Sequence, residues 1–178
     1  MRRAGAGRRI FAFGFDYFLI LLYGIGVVGS AAFLFRETFT SLFTHSPLTA
    51  QVSGFVLITL PVVLYFSVSE SSRYQGTWGK RRVGLIVTDH SGEKLPLGKS
   101  LLRSGVKFLP WELAHFFIWQ AALPSSLPPG AVVAGLVGVN VLLIIYVVFP
   151  FFEKNSRNVY DLLVGTSVYT KGCRRCEP

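Results

Sequence analysis

Four apolar stretches constrain this chain more than any other feature. Residues 10–35 are apolar except at Asp16, and residues 50–68 form a second run. Residues 108–123 form a shorter third run carrying Glu112 and His115, and residues 131–152 a fourth whose one strongly polar member is Asn140. A helix needs about 20 residues, within a range of about 17–25, to cross the hydrocarbon of a bilayer. The first, second and fourth runs are long enough; the third is marginal, either a span or a re-entrant segment. Only 15% of the residues are charged and 51% are hydrophobic, whereas soluble domains carry about a quarter charged residues. A soluble core of this size cannot hide so much apolar surface. The reading is therefore an all-α membrane protein, one domain over residues 1–178, with four transmembrane helices.

The basic residues orient it. Arg2, Arg3, Arg8 and Arg9 precede the first run in the manner of a signal peptide, but the run exceeds the roughly 7–15 residues of a signal core and carries Asp16. It reads as a retained first helix. With four spans, seventeen of the eighteen Lys and Arg residues fall on one side, Arg36 being the exception. The positive-inside rule makes that side cytoplasmic, so both termini are expected there, in the inner (cell) membrane. Losing the third span would place the five basic residues of the tail, Lys154, Arg157, Lys171, Arg174 and Arg175, on the opposite side. The net charge of +9 then implies contact with anionic lipid headgroups. Nucleic acid is not an expected partner, because no soluble fold remains to present the charge.

The connection over residues 69–107 and the tail over 153–178 should form a small cytoplasmic cap. Val83 to Thr88 is rich in β-branched residues and is followed by the turn sequence Asp89-His90-Ser91-Gly92. Val164 to Thr170 has the same character, and pairing of the two is expected. From Leu97 to Leu109 an amphipathic helix repeats Lys99, Arg103 and Lys107 at i, i+4, i+8, opposite Leu101, Leu102, Val106 and Leu109. Such a helix is expected to lie in the interface with those three cations on lipid headgroups, and Pro110 to begin the next helix. Cys173 and Cys176 form a lone Cys-x-x-Cys step, read as reduced thiols of a cytosolic tail or as a redox pair or half zinc site.

Among groups that carry chemistry, Asp16 lies about 9 Å into the first span, at ~1.5 Å per residue. An ionisable group at such depth faces a partner or a cavity. Two readings stand: an ion- or proton-binding carboxylate, or a buried pin bridged to an arginine of another element. Arg9 lies two turns away on the same face. Glu112 and His115 share a face at i, i+3 and serve either as a proton relay or as a first-turn charge and a hydrogen-bonded histidine. Asp161, with Arg157 at i−4, lies at the same membrane face. A polar cluster of Arg9, Asp16, Glu112, His115, Arg157 and Asp161 is thus expected. The segment Gln75-Gly76-Thr77-Trp78-Gly79-Lys80 lacks the spacing of a phosphate-binding loop, no soluble-enzyme signature appears, and neither cofactor nor metal is expected.

Arg9 with Asp16, the segment Gln75-Gly76-Thr77-Trp78-Gly79-Lys80-Arg81-Arg82-Val83-Gly84-Leu85, the triplet Leu101-Leu102-Arg103, and Arg157 to Thr166 together resemble the RDD family of multi-pass membrane proteins, from Arg8 to Val168. The resemblance makes Arg9, Asp16 and Asp161 the three residues for which the family is named. Tyr160 stands where many members have His, so a His-Asp pairing is not available. A few members are associated with sodium/proton antiport. The expected function is accordingly cation or proton exchange, with Na+ or H+ bound at Asp16, His115 and Glu112 relaying protons, and a homo-oligomer supplying what four helices lack. The rival is a non-enzymatic scaffold binding lipid or a membrane-protein partner. An oxidoreductase built on His115 and Glu112 ranks last.

Overall fold

In the computed structural model, which describes residues 2–171, the chain is mostly helical with one two-stranded sheet. Cys173 and Cys176 lie outside the described residues. Helix α1 spans Ala6–Leu34, α2 spans Arg36–Thr44 and α3 spans Pro47–Ser71. Helix α4 covers Trp78–Arg82, strand β1 Leu85–Asp89, α5 Leu97–Ala122, α6 Pro129–Phe152, α7 Val159–Val164 and strand β2 Thr166–Thr170. Three of these helices, α1, α3 and α6, are long and apolar enough to cross a membrane.

The helix ends follow local chemistry. Phe35 leaves the helical region (φ −114°, ψ 44°) and separates α1 from α2. Ser46 caps α3 by accepting from Thr49 N at 3.1 Å, with Pro47 in the first turn. Asn158 and Asp161 form a reciprocal capping box on α7, and Gly165 closes it at φ +65°, a left-handed position suited to glycine.

The separate interfacial helix expected over residues 97–109 does not form. Leu97–Ala122 is one helix of 26 residues, about 39 Å long at ~1.5 Å per residue, and it runs against α3 on one side and α6 on the other. Pro110 does not begin a helix because the bond it removes is replaced. Proline has no N–H to give the carbonyl four residues back, and Tyr146 Oη of α6 donates to that carbonyl, Val106 O, at 3.2 Å. The same substitution occurs twice more. Pro150 frees Tyr146 O, which accepts from Asn158 Nδ2 at 2.7 Å, and Pro61 frees Leu57 O, which accepts from Tyr23 Oη at 2.9 Å. The helix widens to π geometry over Phe55–Thr59 just before Pro61, and Gly24–Gly29 of α1 is π-helical beside it.

Packing between α5 and α6 is close: a Cβ on Gly135 would overlap the Phe117 ring. At one end of the bundle the two β-branched runs meet. Strands β1 and β2 pair antiparallel with Val87 opposite Val168, and the backbone of Arg2–Ala4 joins the edge of β2. Ala4, Ala12, Leu85, Val87, Leu95 and Val168 form the small core beneath them.

Candidate functional site

The sequence after α3 brings a five-residue helix, α4, against the side of α1. So short a helix is all ends, and buried side chains satisfy its first N–H groups. Trp78 N donates to Tyr65 Oη at 3.0 Å, Gly79 N to Asp16 Oδ1 at 2.8 Å and Lys80 N to Thr77 Oγ1 at 3.4 Å. Asp16 also accepts from Tyr65 Oη at 2.9 Å and from Thr77 Oγ1 at 2.5 Å. It is 1% exposed, and its charge faces the positive end of α4. Its partners are neutral donors, so the arginine bridge expected of a buried pin does not form. Gly79 makes the approach possible, since a Cβ there would overlap Ala12 O.

Next to this contact lies an ion-pair network buried between α1, α3, α4, α5 and α7. Arg103 Nη1 binds Glu70 Oε2 at 2.5 Å, while its Nη2 and Nε donate to Asp161 Oδ1 at 2.7 and 3.0 Å. Lys80 Nζ holds the other oxygen of Glu70. Arg9 Nη1 holds Asp161 Oδ2 at 2.5 Å, and Thr166 Oγ1 bonds Asp161 Oδ1 at 3.0 Å. Burial alone would raise the Asp161 carboxyl, but the Arg103 and Arg9 guanidiniums outweigh it and hold the group well below the usual carboxylate range. Burial dominates at Lys80 and lowers its ammonium despite Glu70. The Tyr160 ring lies 5.0 Å from Arg103 Cζ, and its hydroxyl is pushed up to about 12 by burial and by Asp161.

Arg103 therefore does not contact lipid headgroups; it is 1% exposed. The amphipathic pattern of α5 is turned inside out, because Leu101, Leu102 and Leu109 are the exposed residues. The polar edge lies where Glu70, Asp161 and the aromatic rings of neighbouring helices supply partners. Lys107 likewise points inward, its Nζ 3.6 Å from the Phe66 ring centre and within 5.0 Å of those of Phe13 and Phe108. Lys99 is half-buried near Gly165.

A third polar site lies farther along α5. Glu112 accepts from Gln51 Nε2 at 2.6 Å and from Thr59 Oγ1, with His115 Nδ1 3.7 Å away. Thr59 also borders a cavity of about 50 Å³ between α1, α3 and α5, walled by Phe13, Val62, Phe108 and Trp111.

The six residues expected to form one cluster thus separate. Arg9 and Asp161 belong to the ion-pair network, Asp16 to the α4 contact, and Glu112 with His115 to the site nine residues beyond Arg103. Arg157 pairs with Glu153 at 3.3 Å instead of Asp161, because both Asp161 oxygens are already taken. Sequence reading missed Glu70 and Lys80 as partners. Glu70 reads as the polar end of the second apolar run, and Lys80 is visible only within the Gly-Lys-Arg segment. Among the described residues, no group of three or more His, Cys, Asp and Glu is placed to hold a metal ion.

Residues 3–165 match the sequence model of the RDD family. Neither a curated protein nor a solved structure matches the chain.

Proposed function

This chain belongs to the RDD family of membrane proteins, and on that premise we propose that it crosses the cell membrane four times and exchanges a cation for a proton at Glu112. Helix α5 supplies the fourth crossing, with both termini and the β-capped end on the cytoplasmic side where the basic residues concentrate. The observation that carries the reading is the contrast among the carboxylates of the bundle, of which Glu70, Asp16 and Asp161 are buried and Glu112 half-buried. Glu70 and Asp161 are matched by fixed cations, and Asp16 by three donors and a helix end. Glu112 meets only neutral donors and a histidine. A two-ion exchanger needs a group that holds a proton or a cation but not both, and a half-buried carboxylate with neither a resident cation nor a helix end bound to it meets that need. His115, whose imidazole can both accept and donate a proton, is placed to pass it, with Nδ1 3.7 Å from Glu112. The network around Arg103 then closes the cytoplasmic end and fixes geometry.

The test is cation-driven proton flux in proteoliposomes with sodium, potassium or lithium. We expect flux in the wild type, its loss in Glu112→Gln, and a reduced but folded yield in Asp16→Asn. Wild-type flux that persists in Glu112→Gln would move the site elsewhere. No wild-type flux with any of the three cations would favour the scaffold reading. That reading has its own support in the exposed rim of the cap, where Tyr74 lies between Arg73 and Arg81 with Cζ atoms 4.8 and 4.5 Å from its ring centre. Such a surface suits anionic headgroups.

A further inference from the structure

We propose that a second copy of this chain docks along α6, through a parallel helix seam centred on Asn140. Helix α6 packs on α5 along one side, where Val132, Gly135, Val139 and Tyr146 face the bundle. Its other side is unpartnered among the described residues. Lipid covers an apolar helix face without cost, so exposure by itself requires no protein there. Asn140 changes the argument. It sits near the middle of the 24-residue helix and is exposed. Its Nδ2 donates to Leu136 O at 2.8 Å, which leaves the second amide hydrogen and Oδ1 without partners among the described residues. In hydrocarbon such groups are costly.

The occupant follows from two features. A carboxamide both donates and accepts, so its simplest complement is another carboxamide. Two copies inserted with the same topology present α6 in parallel, and a twofold axis along the membrane normal brings a residue on that axis against itself. Asn140 is in addition part of a regular seam. Val133, Val137, Asn140, Ile144, Val147 and Phe151 follow one another at spacings of four and three, the repeat of left-handed paired helices. The five apolar members are each between 57% and 60% exposed. The β-branched side chains among them supply knobs on the same strip that carries the amide.

The full chain, with Cys173→Ser and Cys176→Ser to remove background thiols, is reconstituted in phosphatidylcholine vesicles. Single cysteines at Val137 or Ile144 should cross-link on oxidation, while Ile145→Cys, exposed but off the seam, should not. Energy transfer between labelled copies measures association directly. Asn140→Leu should weaken it about 3- to 30-fold, the range expected for one interhelical hydrogen-bond pair, and Asn140→Gln should retain most of it. An exposed position tolerates these changes without unfolding, so loss of association is not loss of fold. Association unchanged in Asn140→Leu, cross-linking at Ile145 as fast as at Ile144, or a monomer at every protein-to-lipid ratio would each overturn the proposal.

Discussion

Removing the Glu70 charge tests the ion-pair network most directly, because the network is unbalanced. Two carboxylates, Glu70 and Asp161, are shared among three cations, Arg9, Lys80 and Arg103. Deleting one cation leaves two against two; deleting one carboxylate leaves three against one. Glu70→Gln keeps the shape of the side chain but leaves Lys80 and Arg103 facing each other in a dry site. Removing one partner of a buried pair costs about 3–5 kcal/mol. Lys80→Met removes a charged hydrogen bond and leaves the remaining charges balanced, a loss of about 1.5–3 kcal/mol. The double variant should recover about 1–3 kcal/mol relative to the sum, since each change relieves what the other creates. Unfolding by a denaturing detergent in mixed micelles, followed by far-UV circular dichroism and Trp78 fluorescence, measures all three. Trp78 reports on the cap because its ring packs edge-on to Phe15 at 5.6 Å. Lys80→Met costing more than Glu70→Gln, or costs that simply add, would refute the reasoning.

Three further outcomes are expected. Gly79→Ala drives a methyl into Ala12 O and to 2.9 Å from the Asp16 carboxylate, so it should lower stability by about 1–3 kcal/mol or more and shift Trp78 emission. Because Arg103 and Arg9 outweigh burial and depress the folded-state Asp161 carboxyl, its stabilisation is full above the unfolded value of about 3.9 and is lost as pH falls toward the folded one. Unfolding midpoints should therefore hold from about pH 7 to 5 and decline below, with a shallower decline in Asp161→Asn. Tyr146→Phe should cost about 1–3 kcal/mol by stranding Val106 O, and much less in a Pro110→Ala background, where the restored backbone N–H takes that carbonyl; equal costs in both backgrounds would show that the hydroxyl contributes through something else.

Much of this architecture is legible in residue order. The apolar runs locate α1, α3 and α6, and the β-branched runs locate β1 and β2, because burial in lipid and pleating each impose a period or a length. Direction is harder to read. The wheel of α5 shows that Lys99, Arg103 and Lys107 share an edge, but a wheel does not say which side is solvent. An interfacial helix turns that edge outward, and a helix inside a lipid-bathed bundle turns it inward. Pairing is harder still. Asp16 finds Thr77 and Gly79 more than sixty residues away, and Asp161 finds Arg9 across 152 positions. Nothing local distinguishes Arg157, four residues from Asp161, from Arg9 as the partner. The competition is decided by which cation can be buried with the carboxylate.

The three prolines with borrowed hydrogen bonds bear on how the chain enters a bilayer. Helix α3 carries a freed carbonyl at Leu57, and its donor, Tyr23, lies in a helix made earlier. Helix α5 carries one at Val106, and its donor, Tyr146, lies in a helix not yet synthesised when α5 emerges. With Arg103, Lys107, Glu112 and His115 on its inner edge and an unmatched carbonyl, α5 is a poor candidate to partition alone; an unsatisfied backbone group in hydrocarbon costs several kcal/mol. Helix α6 brings the missing hydroxyl and the most apolar surface of the chain. On the four-crossing topology proposed above, the second half of the protein inserts as a helical hairpin, α6 carrying α5 across, and Asn158 then closes α6 from the tail once both are in place.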